Sequence, residues 1–292
     1  MDLKDLVILM KSKNGFTLFE KTSEIGPWLK KQSVTRKITR LQVHHMGLPS
    51  YSTWEKTDKK VFADPHFGRT ESLDNYGKTT WGSKSANGKY IAQHFNVFPD
   101  GKITTGRSLN SNPIGITGWN TNAICVEIYG NFDKGQDQMT EAQKKSVIAL
   151  FGELCKRFDI TPGANTIRYH AWFTSGGTYL GDYKAGKSRK TCPGTNFFGG
   201  NSMTKFKANF LPAIKKYISG EKEETKKEFK PYIVRVTADT LNGRKGPGTN
   251  YDVVTKLYEA TAVTIVAENG NWLQAKMGYW IHKNYVEFIR YA

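Results

Sequence analysis

The sequence has no long apolar run. The best candidate near its start, Leu6 to Met10, is five residues long, where about 18 are needed to cross a bilayer. It follows Asp2 and Asp5, and no small-residue cleavage site comes after it, so neither a signal peptide nor a membrane span is expected. Cysteine is scarce: Cys125, Cys155 and Cys192 are far apart and odd in number. That excludes a disulfide framework and fits a chain made in a reducing compartment. The 28 glycines follow no triplet period, which excludes collagen, and no internal repeat is present. Acidic residues are outnumbered, 26 Asp and Glu against 43 Lys and Arg, for a formal net charge of +17.

What is present is a globular composition. Hydrophobic residues make up 38% and aromatics 13% of 292 residues, too many for a disordered chain. At roughly 150 residues per domain, the length predicts about two domains. The charge is uneven. Residues 1–216 carry 32 Lys and Arg against 17 Asp and Glu, whereas residues 217–292 carry 11 against 9. Such a field concentrates polyanions around the first part. Nucleic acid, anionic lipid and acidic cell-wall polymers all qualify on charge alone.

The clearest boundary is Ser219–Pro231, with eight charged residues, one aromatic and a closing proline. It reads as a solvated linker between a domain over 1–218 and another over 232–292. In the first domain, Leu41–His45, Tyr90–Phe98 and Ala123–Tyr129 read as buried strands. Pro99-Asp-Gly101 supplies a turn and Lys102–Arg107 a hairpin partner. Thr140 and Gln143 have capping-box spacing, and apolar residues at 147, 150, 151, 154, 155 and 158 give the helix that follows its buried face. A second helix is expected over Thr204–Ile218, with Pro212 bending it. Stretches 67–106 and 173–201 read as loop-heavy, the kind of segment that lines a binding site. Strands interspersed with helices predict an α/β domain: a central mixed sheet flanked by helices. After Pro231 five short strands are expected, at 232–236, 253–258, 262–267, 272–277 and 279–282. Turns at 246–248 and 269–271 join them into a small all-β barrel.

Few residues can do demanding chemistry. His44 and His45 lie on a strand, so their side chains point to opposite faces and only one can enter a given site. With His170 and Cys192, one of them would complete a set of two histidines and a cysteine, leaving an open fourth position for catalytic zinc. The spacing alone proves nothing and fits more readily a core histidine and a buried cysteine acting as a small hydrophobe. No HExxH and no paired CxxC is present.

Four blocks in order carry a family resemblance. They are VHHMG (43–47), AQHFNVFPDGKI (92–103), AICVEIYGNF (123–132), and YHAWF (169–173) followed by KTCPG (190–194). Residues 38–217 resemble the zinc N-acetylmuramoyl-L-alanine amidases, the superfamily that includes phage lysozyme-type amidases and peptidoglycan recognition proteins. The resemblance implies His44, His170 and Cys192 as ligands to one Zn2+. It implies Glu127 as the proton-transferring carboxylate and Lys190 as the cation that steadies an oxyanion. The gap from His170 to Cys192 implies an inserted loop over the site. Some phage members carry a catalytic tyrosine where Gln93 stands here, which favours Glu127 as the base. Gln93 and His94 are read as substrate-lining, His94 alternatively as structural, and His45 as core. Residues 232–288 resemble the bacterial SH3-type wall-binding domains through Leu241–Tyr251, Asn271-Trp-Leu273, Gly278–Ile281 and Tyr285-Val286. The family usually has valine or leucine where Gly243 sits. Tyr251, Trp272, Tyr279 and Trp280 are the wall-binding candidates, with barrel core as the alternative for about half of them.

The resulting expectation is a modular peptidoglycan hydrolase, most like a phage or prophage endolysin. It would cut the amide between N-acetylmuramic acid and L-alanine. It would be a monomer held in the host cytoplasm until the membrane is breached. Its partner would be peptidoglycan, with no membrane and no specific nucleic acid, since no helix-turn-helix, Cys/His finger or RNA-binding aromatic signature is present. The alternatives are a non-catalytic peptidoglycan-binding protein and a cell-wall cysteine peptidase using Cys192 and His170. A zinc deaminase is excluded by the missing H-x-E and P-C-x-x-C pair.

Overall fold

The computed structural model describes residues 10–221 and 229–292. Residues 1–9 and the charged middle of the expected linker, 222–228, lie outside them. The chain forms two compact units, 1–221 and 222–292.

The first unit begins with a hairpin, β1 (Lys11–Lys13) and β2 (Phe16–Phe19), turned by Asn14 and Gly15, both at positive φ. Helix α1 (Ile25–Lys31) follows, then β3 (Arg40–His45). A stretch containing a π turn (Trp54–Asp58) leads to α2 (Pro65–Thr80). Next come β4 (Phe95–Val97), β5 (Ile103–Thr105), β6 (Ala123–Ile128), α3 (Glu141–Phe158), β7 (Ile167–Tyr169) and α4 (Leu211–Ser219). The strands make one mixed sheet in the order β1-β2-β5-β4-β6-β3-β7. Pairs β4–β6, β6–β3 and β3–β7 are parallel, and the rest are antiparallel. The expected mixed sheet with flanking helices is therefore present.

The two faces of this sheet differ. Leu41 and Val43, Ile124, Val126 and Ile128, and Phe95 and Val97 join α3 residues Val147, Leu150, Phe151 and Leu154 in the main core. The alternate positions are polar: Gln42 and His44 on β3, Cys125 and Glu127 on β6, Asn96 on β4 and Thr104 on β5, matched by register. A period-two strand with one face against a helix leaves the other free to build a site.

Several local expectations need correction. Stretch 67–106 is not loop throughout, because α2 occupies its first third. Asp64 caps this helix by accepting from the His66 and Phe67 amides, and Pro65 takes the first turn, where its missing N–H costs nothing. Its glycines serve close packing: a Cβ on Gly77 would stand 2.3 Å from the Tyr90 carbonyl oxygen. The expected strand 90–98 shrinks to β4. At His94 the Cys125 amide donates to the imidazole Nδ1 at 3.0 Å, while the His94 amide still donates to the Cys125 carbonyl at 2.9 Å, so one rung of the parallel ladder is made by a side chain. Half of the capping box forms, with the Gln143 amide donating to Thr140 Oγ1 at 3.0 Å. The Gln143 side chain instead donates to the Val97 and Tyr129 carbonyls, at 3.0 and 2.9 Å. The helix at 203–219 contains a π turn, Phe206–Phe210, just before Pro212, where a regular turn would drive the proline ring into a carbonyl.

The second unit is an antiparallel sheet of seven strands. They are β8 (Tyr232–Val236), β9 (Thr240–Arg244), β10 (Val253–Tyr258), β11 (Ala262–Asn269), β12 (Trp272–Ala275), β13 (Trp280–His282) and β14 (Val286–Tyr291). Their order is β10-β9-β13-β12-β11-β8-β14. Five strands were expected; β9 and β14 are the additions. Strand β9 hides behind Asn242 and Gly243, which depress strand propensity. Gly243 is required by packing, since a Cβ there would lie 2.5 Å from Thr255 Cγ2 and 2.9 Å from the Tyr279 ring. Val234, Val236, Leu241, Leu257, Val263, Ile265, Leu273, Ala275 and Ile281 form the core.

Candidate metal centre

At the carboxyl ends of β3, β6 and β7 three chain segments converge. His44 comes from the polar face of β3. His170 starts the 3-10 turn directly after β7. Cys192 lies in the loop between β7 and α4. They are 5%, 7% and 3% exposed, and one ligand atom from each lies within 4.8 Å of the others. The two imidazole rings meet edge to face with centroids 4.9 Å apart. The ends of parallel strands are where open α/β sheets place ligands.

Backbone contacts hold the cysteine loop in place. The Ala171 amide donates to the Cys192 carbonyl at 2.7 Å. The His45 amide donates to Cys192 Sγ at 3.3 Å. Asp133 accepts from Thr191 Oγ1 and from the Thr195 amide, both at 2.9 Å, and so clasps both sides of the cysteine. Gly194 lets the turn press on the Phe132 backbone: a Cβ there would come within 2.4 Å of it.

The electrostatics suit a metal. Burial, reinforced by His170 and the Lys190 ammonium, pushes His44 well below the ordinary imidazole range. Burial, then Lys190, brings His170 down to about 4. Both rings are therefore neutral near pH 7, the form that ligates. Burial and the Glu127 charge raise the Cys192 thiol; a bound cation reverses that by favouring the thiolate. Two neutral imidazoles and one thiol form the nitrogen and sulfur set that zinc takes with one position left open. The residues present fit the ion.

Glu127 is the register partner of His44. It is half-buried, not solvent-facing, and its carboxyl is pushed up to about 7 by burial, with Lys190 pulling the other way. Lys190 is exposed, yet its charge bears on His44, His170, Cys192 and Glu127. The structure thus brings all five of these predicted residues together.

Gln93 and His94 sit differently. Gln93 is buried and donates to Asn96 Oδ1 at 2.6 Å. Asn96 in turn donates to Thr104 Oγ1 at 3.1 Å. His94 is 1% exposed. Its Nδ1 takes the Cys125 amide, so its Nε2–H donates to the Ser111 carbonyl at 3.0 Å. These bonds give His94 the structural role that was its alternative. His45 lies half-buried beside Phe132, ring centroids 6.0 Å apart, and its Nδ1 accepts the Phe132 amide at 3.1 Å.

Two features of the site carry no sequence signature: Gln42, and the loop 114–120 that covers it. Gln42 lies two residues before His44, so strand alternation could have placed it on the same face. Nothing in its residue type marks it out.

In the second unit Trp272, Gln274, Trp280 and His282 share the outer face of β12 and β13, and Trp272 meets His282 edge to face at 5.2 Å. Tyr251 is exposed and lies over Gly246 and Gly248. Tyr279 lies over Gly243 and packs against the core.

Comparison with known proteins agrees with the first unit. No curated protein matches the chain. Among solved structures it is similar to the amidase LysC of Clostridium intestinale URNW, at 20% identity over 57% of this chain and 84% of that one, with a TM-score of 0.37. It is similar to the endolysin amidase LysCS of the same organism at 22% identity, covering 56% and 78%, with a TM-score of 0.33. The Drosophila protein PGRP-LB gives 14% identity, 61% and 84%, and 0.39. Residues 34–195 match the family model described as N-acetylmuramoyl-L-alanine amidase. That span begins just before β3 and ends just past Cys192, so every residue of the converged site falls inside it, and the chain belongs to the N-acetylmuramoyl-L-alanine amidase family.

Proposed function

We propose that this protein is a zinc-dependent peptidoglycan hydrolase that cleaves the amide between N-acetylmuramic acid and L-alanine. The observation that carries the reading is the convergence of His44, His170 and Cys192 within 4.8 Å, next to a half-buried carboxylate without a cation paired to it among the described residues. When bound, the ion supplies Lewis acidity toward the scissile carbonyl and a nucleophilic water near neutral pH.

The chain's own residues supply the rest. Glu127, whose carboxyl burial raises to about 7 in the metal-free chain, stands where it can accept and return a proton, as acid–base catalysis demands. Its carboxylate takes the proton of the attacking water as the new C–O bond forms. It then delivers that proton to the alanine nitrogen as the C–N bond breaks. The Lys190 ammonium provides positive charge where the carbonyl oxygen becomes negative. Glu127 stands on the rigid strand β6, and Lys190 on the loop that leads into Cys192.

The basic first part suits an anionic wall. The second unit is read as an SH3-type wall anchor, with Trp272 and Trp280 on its outer face. Tethering raises local substrate concentration. No helix among the described residues is long and apolar enough to cross a membrane. The proposed setting is an endolysin of phage or prophage origin, held in the host cytoplasm until the membrane is breached.

Mass spectrometry of digested peptidoglycan tests the reaction. Free peptides beginning with L-alanine, lost under chelation and restored by zinc, are expected. Cuts within the stem peptide that survive chelation but not thiol alkylation would replace this reading with a cysteine peptidase.

A further inference from the structure

Gln42 is fully buried on the polar face of β3, and every polar atom of its amide is engaged. Its Nε2 donates to the Trp119 carbonyl at 2.9 Å and to Asn120 Oδ1 at 3.0 Å. The Trp119 carbonyl can only accept, so the amide orientation is fixed: the nitrogen faces the loop and Oε1 faces the other way. Oε1 accepts the Ile116 amide at 3.2 Å and lies 3.3 Å from His44 Nε2. An oxygen already fixed as acceptor leaves His44 Nε2 as the donor. His44 is thereby the Nε2–H tautomer, with Nδ1 unprotonated.

The loop 114–120 closes over this pair. The Gly115 amide donates to Asn120 Oδ1 at 3.0 Å, so Asn120 ties the loop both to itself and to Gln42. Gly115 has no room for a side chain. A Cβ there would stand 2.0 Å from Gln42 Oε1 and 3.2 Å from His44 Nε2. The neighbouring loop backs it up, since a Cβ on Gly177 would meet the Thr117 carbonyl oxygen at 2.5 Å.

We propose that Gln42 is a positioning residue for the metal centre. It fixes the His44 tautomer so that Nδ1 is the nitrogen presented to an ion, and it fastens the 114–120 loop to that imidazole. This rests on the reading of His44, His170 and Cys192 as a metal site. A ligating histidine needs a partner on its second nitrogen to set ring orientation and raise basicity. An amide held by three further bonds, two through its nitrogen and one through its oxygen, is a rigid partner.

The test uses the full chain and zinc or cobalt alone as probe. Gln42→Leu removes the acceptor for the His44 Nε2–H. Zinc affinity is read by competition with a chromophoric chelator, and ligand geometry by the visible spectrum of the cobalt form. Gln42→Leu should bind zinc about 10–100-fold more weakly, the usual effect of losing such a partner, with a changed cobalt spectrum. Wild-type affinity and an unchanged cobalt spectrum in Gln42→Leu would overturn the proposal. Nitrogen-15 histidine spectra of the metal-free wild type give a check that needs no variant: His44 should appear as the Nε2–H tautomer, and an Nδ1–H signal would overturn the assignment. Failure of the underlying metal reading looks different. There the wild type itself would bind neither metal, or His44→Ala would bind as well as wild type.

Discussion

Glu127 shows how much a single position depends on its neighbours. On an isolated strand it would be an ordinary surface acid. Here burial raises its carboxyl to about 7 from 4.5, so in the metal-free protein folding favours the protonated form. The stability cost is absent below about pH 4.5, grows as pH rises, and is complete above about pH 7. Glu127→Gln should therefore stabilise the metal-free protein by about 1–3 kcal/mol at pH 8 and leave it nearly unchanged at pH 4; paired denaturation curves at the two pH values check this. The same variant should keep zinc yet lose about 10²–10⁴-fold in turnover. At this scale the site was partly legible. Alternation on β3 separated His44 from His45, and the ordered blocks picked out His170 and Cys192. Gln42 was not legible, because a glutamine announces no chemistry until its partners are known. For His94 both a structural and a substrate-lining role stayed open for the same reason: its bonds are to backbone groups that sequence does not locate.

Among the elements, α2 is the instructive case. Its glycines made 67–106 look irregular, yet Gly68 and Gly77 are small because Phe62 and the Tyr90 backbone press on them. The start signal, Asp64 followed by Pro65, was present and outweighed by glycine count. Gly77→Ala, an improvement in an isolated helix by about 1 kcal/mol, should instead destabilise this protein by about 1–3 kcal/mol through overpacking. A rise in melting temperature would show that Tyr90 yields easily. Helix α3 was legible because its apolar spacing and Thr140 cap agree. The reciprocal half of the box was not, since Gln143 serves Val97 and Tyr129 across the sheet instead. Strand β4 came out short although backbone pairing continues at Gln93 and His94, because at His94 the Cys125 amide turns to the imidazole.

For the whole molecule, the division of labour follows charge and composition. The excess of Lys and Arg lies before residue 217, in the unit that holds the converged site. The second unit has near-balanced charge and a row of aromatic side chains on β12 and β13. Under the proposed function, the doubly substituted Trp272→Ala, Trp280→Ala chain should cleave soluble muropeptide at the wild-type rate. It should bind intact walls about tenfold more weakly or worse, given about 0.5–1.5 kcal/mol per stacked aromatic lost. Cosedimentation with purified walls measures this, and unchanged binding would move the anchor elsewhere. The seven-stranded sheet was only partly legible. Valine and aromatic runs marked five strands, but β9 breaks its pattern with glycine, and β14 exposes most of its side chains, so burial leaves little trace in its sequence.

The adjacent histidines of β3 look like insurance, as though either could serve if the other were lost. The two-faced sheet removes that redundancy. Deleting one residue upstream within β3 would bring His45 to where His44 stands, but it would also turn Leu41 and Val43 toward the polar floor and send Gln42 into the apolar core. The pair cannot substitute for each other in descent any more than in space. A lineage that mutates His44 has no neighbouring copy to fall back on.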